Sequence, residues 1–172
     1  MSVRIKPITL WRAEVDNQPG VLARILEPLA SVKADLKIVM GYRLPGDHAR
    51  AAIEIYPVSG TRVTSAARAV GLSEAGISAL LIDGDNRAGL GHAIASRLAA
   101  AGINIEFLVG QVSGVRHSTV IGFENPNDAA TAASLIKQAA ATVRRPAARK
   151  TTAKGPSRGR QRTRARARPS RR

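Results

Sequence analysis

The sequence predicts an α+β fold: two tandem modules of the ferredoxin-like kind, each an antiparallel sheet with helices on one face, then a disordered tail. Three observations predict it. A shift of 69 positions lays Asp85-Asn86-Arg87-Ala88-Gly89-Leu90 without a gap on the stretch that begins at Asp16, and residues 16 to 50 share eight identities with their shifted partners. Chance in an alanine-rich chain gives roughly two or three, so a duplicated unit is read before any single motif. Within each copy the hydrophobic period switches between 2 and 3.6 in the order β-α-β-β-α. Finally, residues 144–172 hold 13 of the 27 Lys and Arg and neither Asp nor Glu, leaving 14 basic against 12 acidic residues before them. The predicted domains are therefore 1–73, 74–143 and an Arg-rich tail at 144–172.

Residues 8–15 alternate as a strand with Trp11, Ala13 and Val15 on one face, and that face needs cover. Val21, Leu22, Ile25, Leu26, Leu29 and Val32 follow at helical spacing and supply it, with Pro19 suited to the first helical position. Pro28 interrupts that helix and its counterpart is Arg97, so it is no part of the repeated motif. Residues 36–43 and 49–56 form a hairpin about Pro45-Gly46-Asp47, a turn-forming combination. A weaker helix spans 61–70 and ends at Gly71, as helices often do. Residues 72–76 read either as a linker or as a short fourth strand. The second unit repeats the grammar: strand 77–82, helix 90–101 closed by Gly102, strands 105–112 and 118–124, and a helix opened by Asn125-Pro126-Asn127-Asp128, a capping sequence.

A strand ending in Asp, a short polar turn, Pro-Gly or Ala-Gly, a Leu-rich helix and a hairpin with Gly in its first strand together resemble the ACT domain. The resemblance covers about residues 7 to 143, twice over. ACT domains are regulatory modules of βαββαβ order that pair side by side and commonly bind free amino acids at the pairing interface. By resemblance, Asp16, Asn17, Gln18, Pro19, Gly20, Val21 and Leu22 match the ligand loop in the first copy, and Asp85, Asn86, Arg87, Ala88, Gly89 and Leu90 match it in the second. The chain departs from the family pattern in its last strand, weak after the first copy and missing after the second, and in Gly91-His92. The resemblance implies a non-catalytic, amino-acid-binding regulatory protein whose two copies pack with their sheets edge to edge and whose chains form a homodimer. The chemistry suits it, because a helix N-terminus offers N–H groups to a carboxylate while Asp and Asn accept from an ammonium group. The same residues also suit turns and caps, and the residues alone leave the two open.

With 44% hydrophobic and 23% charged residues the chain is globular, and it carries no signal-like or membrane-spanning run. A cytoplasmic protein is expected. The absence of cysteine excludes disulfides and thiolate chemistry, and three scattered histidines point to no metal or other cofactor. His48 and His117 match under the shift of 69 and read as exposed turn residues without function. Trp11 and Tyr42 read as core or interface residues, with ligand stacking second. No catalytic constellation appears, so no enzyme is expected. The alternative reading is a nucleic-acid-associated protein in which the tail, with Arg158, Arg160, Arg162, Arg164, Arg166 and Arg168, binds a polyanion. The tandem unit would then serve dimerisation or ligand control.

Overall fold

A computed structural model describes residues 3–143; the basic tail and its arginines lie outside the described residues. The chain runs β1 (Arg4–Ile8), β2 (Trp11–Asp16), α1 (Val21–Ser31), β3 (Ile38–Leu44), β4 (Asp47–Tyr56), α2 (Thr61–Ala69), β5 (Ser73–Glu74), β6 (Ser78–Asp85), α3 (Leu90–Ala100), β7 (Phe107–Ser113), β8 (Arg116–Phe123) and α4 (Pro126–Thr142). The strands form two antiparallel four-stranded sheets, ordered β3-β4-β2-β5 and β1-β6-β8-β7. No helix among the described residues is long and apolar enough to cross a membrane.

Two points of organisation differ from the sequence reading. The strand missing from the end of the second copy is supplied by the start of the chain: β1 pairs with β6 from Arg4↔Asp83 to Ile8↔Ala79. Residues 4–8, grouped by sequence with the first module, thus complete the second module's sheet. The segment read as one strand from residue 8 is in fact split, because Thr9 and Leu10 carry the chain from one sheet to the other. Pro7 is tolerated because β1 is an edge strand, where a missing N–H breaks no ladder bond on the open side. The first copy closes its own sheet with β5, which pairs with β2 at Trp11↔Glu74 and Arg12↔Ser73; of the two readings of residues 72–76, the short strand holds.

The sheets also do not join edge to edge. Each has a helix-covered face with its own core: Trp11, Ala13, Ile53 and Ile55 beneath α1 and α2, and Leu80, Ile82, Ile121 and Phe123 beneath α3 and α4. Strand alternation sends the intervening residues to the other face. There Ile8, Leu10, Ala79 and Val120 form a third cluster, with Ile38, Met40 and Tyr56 from the first module and Leu81 and Phe107 from the second. The modules therefore meet through their helix-free faces, since these carry apolar surface that no helix covers. Leu10 is fully buried at this junction, and its carbonyl accepts a 2.8 Å hydrogen bond from Ala75 N–H where the chain crosses back.

On the same face of the first sheet lies a polar cluster. Glu54 is 0% exposed; its Oε1 accepts a 2.8 Å bond from the Tyr42 hydroxyl and stands 3.7 Å from Arg12 Nη1. Arg12 also pairs with Glu14 at 2.9 Å. Tyr42 is thus held by a hydrogen bond, while Trp11 packs in the first core. Burial, and next the bond to Glu54, push the Tyr42 hydroxyl up to about 12.

Leu10→Ala should cost about 2–5 kcal/mol in denaturant unfolding, the range for truncating a fully buried leucine, whereas Val115→Ala, at 78% exposure, should change stability by less than about 0.5 kcal/mol. Because the folded state raises the Tyr42 hydroxyl, the stability it adds is present below the ordinary tyrosine value of about 10 and is lost as pH rises towards about 12. Ultraviolet titration should show one tyrosine ionising late, and Glu54→Gln should bring it down.

Candidate functional site

In both copies the strand-to-helix turn is built alike. Gly20 and Gly89 cap α1 and α3 with φ of +87° and +83°, and neither helix has a side chain accepting from its first turn. By contrast, α4 is capped by Asn125, whose side chain accepts from Asp128 N–H. A Cβ built at Gly20 or Gly89 would meet nothing within 4 Å, so the glycines are required by backbone conformation and not by close approach. Helix α1 begins at Val21, which leaves Pro19 ahead of the cap instead of at the first helical position.

The strand-end carboxylates are engaged. Asp16 Oδ1 lies 3.2 Å from Arg50 Nη1 and Asp85 Oδ1 lies 3.4 Å from Arg116 Nη1. These pairs show that the repeat is not gapless: the shift is 69 through the first hairpin strand but 66 in the second, where Trp11↔Ile55 corresponds to Leu80↔Ile121. Both hairpins close with two-residue turns, and the first holds three extra residues, with Arg43 opposite Ala51 and Leu44 opposite Asp47. His48 falls in that bulge and is exposed. His117 does not match it; it lies within β8 opposite Gly84, at 8% exposure, where the first module has Ala51 opposite Val15. The reading of His117 as an exposed turn residue is thus corrected.

The bulge makes the two loops differ. In the first module Asn17 N–H donates to Ala49 O at 2.8 Å and its side-chain amide to His48 O at 3.1 Å, while Gln18, Pro19, Gly20 and Leu22 are exposed and Val21 is half-buried. In the second, Asn86 N–H makes the equivalent bond to Val115 O at 2.7 Å, but its side chain lines a cavity of about 230 Å³. Arg87 and Leu90 line it too, with Gly91 and Ile94 from α3, Leu108, Gly110, Gln111 and Val112 from β7, and His117, Thr119 and Ile121 from β8. Asp85, Ala88 and Gly89 are not among its lining residues. Arg87 bonds elsewhere: its Nη1 donates to the carbonyls of Ala140 and Val143 at 2.8 and 3.0 Å, satisfying the C-terminal end of α4. Leu90 N–H donates to Arg87 O. The following N–H groups of α3, at Gly91 and His92, have no intrahelical partner by helix geometry. Sequence reasoning missed the wall formed by β7 and β8, although Gly110 is one of the repeat identities.

A larger groove of about 820 Å³ lies between the modules and is flanked by Arg4, Lys6 and Lys37. These cations are exposed; Lys6 donates to the Tyr56 hydroxyl at 2.8 Å and Lys37 pairs with Asp35. No group of three or more potential metal-ligating side chains occurs among the described residues.

The architecture is that of two ACT-like, ferredoxin-type α+β modules in tandem, the second completed by the N-terminal strand. Neither a family model nor a curated protein sequence matches the chain. Solved structures do. A Bacteroides thetaiotaomicron protein superposes with TM-score 0.62 at 15% identity, over 76% of this chain and 88% of its own. The regulatory subunit of aspartate kinase from Thermus thermophilus, in its ligand-free form, gives TM-score 0.55 at 20% identity over 81% of this chain and 97% of its own. The corresponding Thermus flavus subunit gives 0.54 at 17% identity over the same shares.

Gly20→Ala and Gly89→Ala should each cost about 1–2 kcal/mol in denaturant unfolding, the penalty of a left-handed backbone for an L-residue, with no loss of the overall fold by circular dichroism.

Proposed function

We propose that the chain is a non-catalytic regulatory protein that binds a free amino acid or similar small zwitterion at the second-module turn, with the loop from Asp16 to Leu22 as a second site. The observation that carries this reading is the N-terminus of α3, uncapped by any side chain, beside a cavity of about 230 Å³. That volume is below the roughly 300–1,000 Å³ of pockets for drug-sized ligands and suits one small metabolite. The helix N-terminus favours a carboxylate through its N–H groups and dipole. The side-chain carbonyl of Asn86 can accept from an ammonium group. Leu90, Ile94 and Ile121 add apolar wall for the rest of the ligand. The structural likeness to regulatory subunits of aspartate kinase supports a regulatory role.

The cavity borders β7, and this bears on oligomeric state. Strand β7 is the last of its sheet, and Leu108, Val109 and Val112 on it are 51%, 48% and 57% exposed. An apolar edge strand with an unpaired ladder is a surface that proteins cover. In this reading a second copy covers it and closes the cavity, which gives binding a route to assembly.

Isothermal calorimetry of the whole chain against the twenty amino acids should show heat with at least one of them, together with a raised melting temperature. Sedimentation should give the mass of two chains, and Val109→Lys should give that of one and weaken binding. Absence of heat from every amino acid would overturn the ligand reading; a wild-type mass of one chain would overturn the dimer.

A further inference from the structure

His117 belongs to the cavity wall and has no counterpart in the first module. Where the first module sets Val15 against Ala51, the second sets Gly84 against His117. The bulk has moved from one strand to the other. A Cβ added at Gly84 would stand only 2.9 Å from His117 Cε1 and 3.3 Å from Val3 Cγ2, so the glycine leaves the room that the imidazole and Val3 take up. This exchange puts a polar ring where an apolar pair serves the first module.

The ring is only half used. Its Nδ1 lies 3.2 Å from the Asp85 carbonyl oxygen, an acceptor, so Nδ1 carries the proton and donates, and in the neutral tautomer Nε2 is left as an acceptor. Nε2 is buried with no hydrogen-bond partner among the described residues. A desolvated acceptor of this kind costs stability, and the Val15–Ala51 pair shows that the fold can be built without one. Its neighbourhood supplies the reason, since His117 and Thr119 put polar groups on a wall that Leu108 and Ile121 otherwise make apolar.

We propose that His117 sets the specificity of the second-module cavity, accepting through Nε2 a hydrogen bond from the hydroxyl or amide side chain of a bound amino acid. The inference rests on the amino-acid reading of the cavity. With the ligand's carboxylate at the start of α3 and its ammonium group near Asn86, the side chain is what remains to meet β8. The ring lines the cavity with Nδ1 held by the Asp85 carbonyl, so Nε2 is the ring atom left to meet a bound donor. Gly84 acts as a positioning residue by leaving room for the ring. The first-module loop, with Ala51 in the equivalent place, lacks this selection.

Calorimetry on the full chain with the near-isosteric pairs threonine and valine, and asparagine and leucine, tests this. The wild type should favour the polar member of a pair by roughly tenfold or more, because a site built to receive a donor leaves its acceptor unpaired against the apolar analogue. The double variant Gly84→Val with His117→Ala installs the first module's own pair and, folded by circular dichroism, should bind both members alike. His117→Gln keeps an acceptor on a side chain of similar reach and should retain the preference. Equal binding of both members by the wild type, or an undiminished preference in the double variant, overturns the role of His117 while leaving amino-acid binding intact. Absence of binding to any amino acid overturns both together.

Discussion

The pairing of β1 with β6 is the constraint on which the rest of the molecule depends. Five residues at the start of the chain fill the edge position that the second module lacks, and only Thr9 and Leu10 separate them from β2 in the other sheet. A connection that short holds the two sheets close together. It leaves their helix-free faces to bury one another around Leu10, Ile8, Ala79 and Val120. The modules are therefore interlocked: unfolding the second would pull on the strand that leads into the first. The same arrangement leaves β3 and β7 as outer edges of their sheets, and so places the cavity beside an uncovered strand.

The repeat was legible because it is written in residues that cannot be exchanged freely. Gly20 and Gly89 both hold positive φ, and the apolar stripes of α1 and α3 bury Ile25 and Leu29 in one copy and Leu90, Ile94 and Leu98 in the other. Periodicity located the helices and hairpins to within a few residues. The origin of the missing strand was not legible. Residues 4–8 show no alternation that distinguishes them from the strand after them, and pairing across more than seventy residues of sequence leaves no local signal.

The site was legible in part. The turn from Asp85 to Leu90 was singled out as the ligand loop of the second copy, and in the structure α3 begins there with Asn86, Arg87 and Leu90 beside a cavity; the opposite wall could not be read, because it depends on register. A gapless shift matched His48 with His117, when the bulge in β4 puts one in an exposed loop and the other inside a strand. The partners of Arg87 were equally out of reach of the sequence, since its guanidinium bonds the last carbonyls of α4. Such partners are decided by tertiary packing and not by any motif.

The duplicated turns have thus diverged. In the first, the bulge brings His48 and Ala49 against Asn17 and takes up its amide; in the second, the shorter strand leaves the Asn86 side chain at the cavity. The account centres on this second turn, and amide chemical-shift mapping of the labelled chain with a saturating amino acid addresses it most directly. Shifts concentrated at Asn86 to His92, Gly110 to Val112 and His117 to Thr119 are the predicted result. Shifts confined to the groove around Lys6 and Tyr56, or to the first turn with none at the second, would contradict it.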